Sequence, residues 1–178
     1  MLILGSEICV ISYSLNVSFI NYRGVGDLML DAANDDLIQF LKLLSRSRAA
    51  VVDYFIHGSL TSPPVLSPAL VAKLASSNGA QVDYDTVVTS SWRLGVGRGV
   101  VDSVLVLLVG VTEEDYSYTI LVNFHLWGFS DAKQLNVWSI DSNGTRSLLG
   151  SVSGPMGEWD VKLSGRSARM LEFTKAVV

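Results

Sequence analysis

YTILVNFHLWGFSDAKQLNVWSIDSNGTRSLLGSVSGPMGEWDVKLSGRSARMLEF, residues 118–173, reads as a succession of short strands cut by turn signals. Asn143-Gly144 lies between NVWSI and RSLLG, and a two-residue hairpin turn with positive φ is expected there. In Trp159-Asp160-Val161-Lys162-Leu163 apolar residues alternate with charged ones, so one face is buried and the other wet. Working upstream, strands are expected at Leu70–Ala75, Asp83–Arg93, Val100–Leu108 and Tyr116–Phe124. Within the stretch itself they are expected at Gln134–Ile140, Thr145–Val152, Glu158–Leu163 and Ala168–Phe173. Their recurrence at roughly 8–12 residues is the spacing of a sandwich or barrel.

One helix precedes them. Asn34 is a suitable N-cap, and Asp35 and Asp36 put negative charge in the first turn, where the helix dipole favours it. Leu37, Phe40, Leu41, Leu44, Val51 and Phe55 form an apolar stripe at helical spacing, with Lys42, Arg46 and Arg48 on other faces. The pattern predicts a helix over 35–54, stopped by His57-Gly58 and followed by the breakers Ser62-Pro63-Pro64 and Pro68. The fold class is therefore mainly β, an antiparallel β-sandwich preceded by one long α-helix. Residues 1–60 read as an N-terminal segment and 61–178 as the sandwich.

The whole chain has 178 residues, of which 49% are hydrophobic and 17% charged, and a mean hydropathy of +0.38. A chain of this size buries roughly 70% of its unfolded surface, enough for one core. The net charge of −4 argues against nucleic acid, which needs clustered Lys and Arg. Cys9 alone makes no internal disulfide. Glu7, Ser12, Ser14 and Asn16 interrupt the apolar opening, and Ser103–Val111 is too short to span a bilayer, so a soluble protein is favoured over a membrane-anchored one.

Little in the chain reads as chemistry. Two histidines, His57 and His125, and one cysteine do not make a metal site, and no cofactor is implied. Gly95–Gly99 lacks the spacing of a dinucleotide loop, and Gly150–Gly154 places Val152 where a nucleophile elbow needs serine. Glycoside hydrolysis runs on carboxylate pairs. Asp35-Asp36 are explained by the helix start, Glu113-Glu114-Asp115 by a loop, and Asp83 with Asp85 by the polar face of a strand. Four tryptophans are present, Trp92, Trp127, Trp138 and Trp159, and the default use of such rings is core. Trp127 beside Gly128, with Tyr116 and Tyr118, is the candidate sugar platform. Asn16-Val17-Ser18 and Asn143-Gly144-Thr145 match glycosylation sequons.

Two segments carry a family resemblance. NDDLIQFLKLLSRSRAAVVDYFIHGSLTSPP resembles the last barrel helix and exit of TIM-barrel glycoside hydrolases: an L-x-x-L-x-x-x-R helix, then Y-F-x-x-G, then a proline-containing crossover. LVNF, NVWSIDSNGTRSLLG and GEWDVKLSGRSARMLEF resemble the β-sandwich appended to such barrels. In that family the catalytic carboxylates sit on barrel strands well upstream, and a barrel takes roughly 250 residues. The resemblance thus implies a non-catalytic C-terminal accessory domain whose partner is a catalytic barrel, with the stripe on 35–54 facing that barrel. Two other readings remain: a stand-alone carbohydrate-binding module using Trp127, Tyr116 and Tyr118, and a membrane-tethered β domain.

Overall fold

The computed structural model describes residues 35–69, 71–75, 81–95 and 101–176. The expectations for residues 1–34, including Cys9, the Asn34 cap and the first sequon, lie outside these. After α1 (Asp35–Ala50) and α2 (Val52–His57) come β1 (Ser59–Thr61), β2 (Val65–Ser67), β3 (Val71–Ala75), β4 (Gln81–Asp85), β5 (Val87–Leu94), β6 (Ser103–Gly110) and β7 (Tyr116–Asn123). A single helical turn, α3 (Phe124–Trp127), leads to β8 (Gln134–Ile140), β9 (Arg146–Ser153), β10 (Met156–Leu163) and β11 (Ala168–Lys175).

All pairings are antiparallel. A six-stranded sheet has the order β1-β5-β6-β11-β8-β9, a three-stranded sheet β10-β7-β2, and β3-β4 form a separate hairpin. The sandwich interior lies between the first two. Val104, Val106 and Leu108 of β6 meet Leu171 and Phe173 of β11 and, from the other sheet, Ile120, Val122, Val161 and Leu163. The alternation read in 159–163 is realised: Val161 and Leu163 are buried while Asp160 and Lys162 face water.

The second face of the six-stranded sheet is apolar too. Leu105, Leu107 and Val109 of β6 pack with Trp92, Ile140, Met170, Val51 and Tyr54, and Phe40, Leu44 and Phe55 close over them. The helical stripe expected to face a barrel therefore packs on the chain's own sheet. Phe55 meets Trp92 edge-on, with ring centroids 4.9 Å apart. β6 is thus covered on both sides, and all eight of its residues are buried.

The expected helix 35–54 is in fact two. Val51, at φ −125° and ψ 25°, leaves helical geometry and sends its side chain into the core at 4% exposure. A straight continuation would carry α2 off the sheet; the break lets Tyr54 and Phe55 reach it. The stop at Gly58 is realised in an extended conformation, φ −86° and ψ 179°. Glycine is required there by proximity, because a Cβ would lie 2.3 Å from the Tyr54 carbonyl oxygen and 2.9 Å from that of Arg93.

Three further expectations are corrected. The run Asp83–Arg93 is two strands divided at Thr86, one in the hairpin and one in the large sheet. The proline segment contributes two short edge strands, β1 and β2, because three residues suffice at an edge whose outward N–H groups need no partner. The β8–β9 connection is not a two-residue turn: Gly144 N donates to the Asp141 carbonyl at 3.0 Å, and Asp141 N to that of Thr145 at 3.0 Å. The Asp141 carboxylate also accepts from the backbone N–H groups of Asn143 and Thr145, at 2.9 and 2.8 Å. This fixes a longer loop in which Gly144, at φ 86°, takes the left-handed position and Asn143 does not.

One buried polar cluster pins the helices to the sheet. Glu172 of β11, 3% exposed, faces the helical side and accepts a hydrogen bond from the Tyr54 hydroxyl at 2.5 Å. Ser103 Oγ lies 2.6 Å from the same phenol oxygen, and Arg146 of β9 reaches the carboxylate at 3.1 Å. A buried carboxylate without partners is costly; this one has a phenol, a guanidinium and the sheet around it. Burial, and then the charge of Glu172, push the Tyr54 phenol far above its usual value.

Three tests follow from this packing. Tyr54→Phe should lower the unfolding free energy by about 1.5–3 kcal/mol, since a hydrogen bond to a buried charge is lost; urea titration measures it. A raised phenol pKa means stability that is complete below the unfolded value, near 10, and declines as pH rises through it. Wild type should therefore lose stability above about pH 10, and the part of that loss due to Tyr54 should vanish in Tyr54→Phe. Gly58→Ala should destabilise by roughly 1–3 kcal/mol, the cost of forcing two backbone carbonyls apart; an unchanged thermal midpoint would contradict the close approach.

Candidate functional site

Among the described residues no three His, Cys, Asp or Glu side chains cluster closely enough to hold a metal ion. The His125 Nδ1 lies 2.9 Å from Ser130 Oγ at the exposed turn after α3. His57 ends α2 and is exposed. Val152, in the place of an elbow serine, is buried in the sandwich at 4% exposure.

The acidic loop 113–115 clamps the neighbouring β10–β11 turn. Glu113 pairs with Arg166 at 2.6 Å, the Tyr116 hydroxyl donates to Glu114 at 2.9 Å, and Gly165 N donates to Asp115 at 3.0 Å. Arg166 is held at φ 45° by these contacts, and Gly165 packs so tightly that a Cβ would lie 2.0 Å from the Glu113 carbonyl oxygen. These three carboxylates are occupied with structure. Asp35 accepts a local bond from Gln39 at 3.4 Å. Asp83 and Asp85 share one face of β4, two residues apart, and both are exposed.

The sugar-platform candidates fare unequally. Trp127 is 2% exposed; its ring packs 5.0 Å from that of Phe173, and its Nε1 donates to the Ser62 carbonyl at 3.1 Å. Its flat face is spent on the core, so it offers nothing to a sugar. Tyr118 is 4% exposed, and its hydroxyl lies 2.7 Å from Thr86 Oγ1. Tyr116 is half-buried against the core, its ring 5.9 Å from that of Tyr118. Trp138 and Trp159 are half-buried; Trp159 packs against the sandwich core, whereas Trp138 does not. Trp138 lies on the helical side of β8, with Nε1 donating to Thr174 Oγ1 at 3.1 Å and the 56%-exposed Leu148 directly across the strands. Parity was the available signal: Leu135 and Val137 face the core, which sends Asn136 and Trp138 the other way.

Two singled-out residues that are 33 positions apart do come together. On the flank where the two sheets part, Pro64, Leu66 and Pro68 face Val87, Thr89, Asp85 and Tyr118 across a cleft of about 180 Å³. β2 brings the prolines, β4 and β5 the polar wall, and β7 the phenol at the base. Burial pushes the Tyr118 phenol above its ordinary value, the Thr86 hydrogen bond opposes this, and the neighbouring Tyr116 and Asp85 side chains add to it. The arrangement can accept hydrogen bonds at one carboxylate and present a dry wall opposite. Among the described residues it holds one carboxylate, whereas glycoside hydrolysis takes two.

No family profile matches the chain. A Monosiga brevicollis protein named, provisionally, glycoside hydrolase 22789 is 24% identical over 152 residues, which cover 83% of this chain and 12% of that protein. The chain thus spans about one-eighth of the relative's length. Among solved structures, a GH27 β-L-arabinopyranosidase from Geobacillus stearothermophilus is 11% identical, with 72% of this chain and 22% of that one covered and a TM-score of 0.38. A GH30 endoxylanase from Clostridium papyrosolvens is 13% identical, with 51% and 20% covered and a TM-score of 0.30. At such scores these likenesses are partial, and the relationship rests on the sequence match. In sequence the chain is thus similar to a protein provisionally named as a glycoside hydrolase, in line with the resemblance read from its residues.

Proposed function

We propose that this chain is a non-catalytic β-sandwich accessory domain of a carbohydrate-active, glycoside-hydrolase-like protein, the counterpart of the sandwich that follows a catalytic barrel. The carrying observation is how the carboxylates are used. Glu113, Glu114, Asp115 and Asp141 hold turns, and Glu172 holds α2 to the sheet. A glycosidase needs an acid and a base or nucleophile facing each other across a cleft. Among the described residues, the cleft beneath Pro64 and Pro68 has Asp85 as its single carboxylate. The sequence relationship supplies the carbohydrate context, and the compact sandwich with its own helical cover supplies a body that can pack beside a larger enzyme.

Two measurements test the reading. The purified chain should release no product from aryl β-L-arabinopyranosides, aryl α-N-acetylgalactosaminides, xylan or glucan; turnover that disappears in Asp85→Asn would overturn it. In the Monosiga brevicollis relative, deleting the matched segment should lower the thermal midpoint while leaving turnover per folded molecule largely intact. Loss of all turnover with an unchanged midpoint would make the segment catalytic.

A further inference from the structure

The cleft between the parted sheets has a chemistry that the accessory role does not use. One wall is the apolar set Pro64, Leu66 and Pro68; the other carries Asp85 and Thr89, with the Tyr118 phenol at the base. Among the described residues neither Asp85 nor Thr89 has a hydrogen-bond or ion-pair partner for its side chain. This contrasts with the acidic groups of the 113–115 loop, all of which are paired. Its volume of about 180 Å³ is below the roughly 300–1,000 Å³ typical of drug-sized ligands, so it takes one ring and no more.

We infer that this cleft is a binding subsite for a single neutral sugar ring, its C–H face against the proline wall and a pair of adjacent hydroxyls donating to the Asp85 carboxylate. Thr89 supplies a third hydrogen bond. A carboxylate accepts two such bonds at once, and a neutral polyol can supply them without importing charge. Among the described residues no Lys, Arg or His lines the cleft, so uronic acids and phosphorylated sugars meet repulsion at Asp85. The inference rests on the carbohydrate-active reading for its choice of sugars, but binding and turnover are read in separate assays, so either can fail alone.

The test is an amide chemical-shift titration of the full chain with methyl β-L-arabinopyranoside, methyl α-D-galactopyranoside and methyl β-D-xylopyranoside at up to tens of millimolar. At least one should give saturable shifts centred on Leu66, Val87 and Thr89. Affinity should fall about tenfold or more in Asp85→Asn, and severalfold in Thr89→Val, which keeps the side-chain volume and so guards against a misfolded first variant. Trp138→Ala, on the opposite face of the larger sheet, should bind as wild type does. Three results would each overturn the inference: no shift with any glycoside, affinity unchanged in both cleft variants, or binding abolished in Trp138→Ala with its fold intact. Stronger shifts from methylammonium than from every glycoside would also overturn it, by making the cleft a cation site.

Discussion

The constraint on which the structure depends is the two-sided burial of β6. Val104, Val106 and Leu108 fill the sandwich while Leu105, Leu107 and Val109 fill the layer beneath the helices. Each such side chain contributes roughly 1.5–3 kcal/mol relative to an exposed one. A strand buried this way cannot lie at an edge, so it takes a central place between β5 and β11 and needs cover on both faces. The three-stranded sheet covers one. The other must be covered by something apolar from the same chain, and α1 and α2 are what the sequence provides. The high hydropathy of the chain is in large part the composition of a protein with two cores.

The Glu172 cluster follows from the same geometry. β11 lies beside β6, so its outward residues also sit under the helices, and a carboxylate there is removed from water. Such a group stabilises only if it is matched. Tyr54 comes from a position 118 residues earlier and Arg146 from the far edge strand. The match therefore fixes where α2 sits across the strands, a specificity that packing of Val51, Phe55 and Trp92 alone would leave looser. β5 shows the other side of this account: Ser90 Oγ, Ser91 Oγ and Trp92 Nε1 are buried with no hydrogen-bond partner, a cost that the surrounding apolar contacts must offset.

Period and parity made much of the fold legible. The strands from Tyr116 onward fall where alternation placed them, within a few residues at each end, because one buried face writes a period of two into the sequence. What failed was whatever depends on distant partners. The break at Val51 is invisible in a continuous apolar stripe; it exists because Tyr54 must meet Glu172. Asp83–Arg93 reads as one strand, and only pairing divides it at Thr86. Asn143-Gly144 carried a strong local signal, yet Asp141 captured the loop with its own side chain. Trp127 looked free beside Gly128, but the residue it packs on, Phe173, lies far along the chain. The cleft was half legible: Asp85 and Tyr118 were both singled out, for different reasons, and nothing in the sequence says they meet.

Their meeting has a structural cause. Six strands face three, and β2, the edge of the smaller sheet, pairs over only three residues. The flank along β5 is therefore not roofed by backbone pairing: Val87 is buried at the margin of the core, while Thr89, two residues on, is left half-exposed beside β2. Pro64 and Pro68 bound that short strand and cannot extend its ladder, so the gap is kept open by covalent chemistry. A sandwich whose interior is fully committed to packing can hold a ligand only where its layers fail to match. In this chain the mismatch falls where an unpaired carboxylate and an apolar wall stand opposite each other, which is why the flank of the sandwich, and not its tryptophans, is where recognition chemistry is placed.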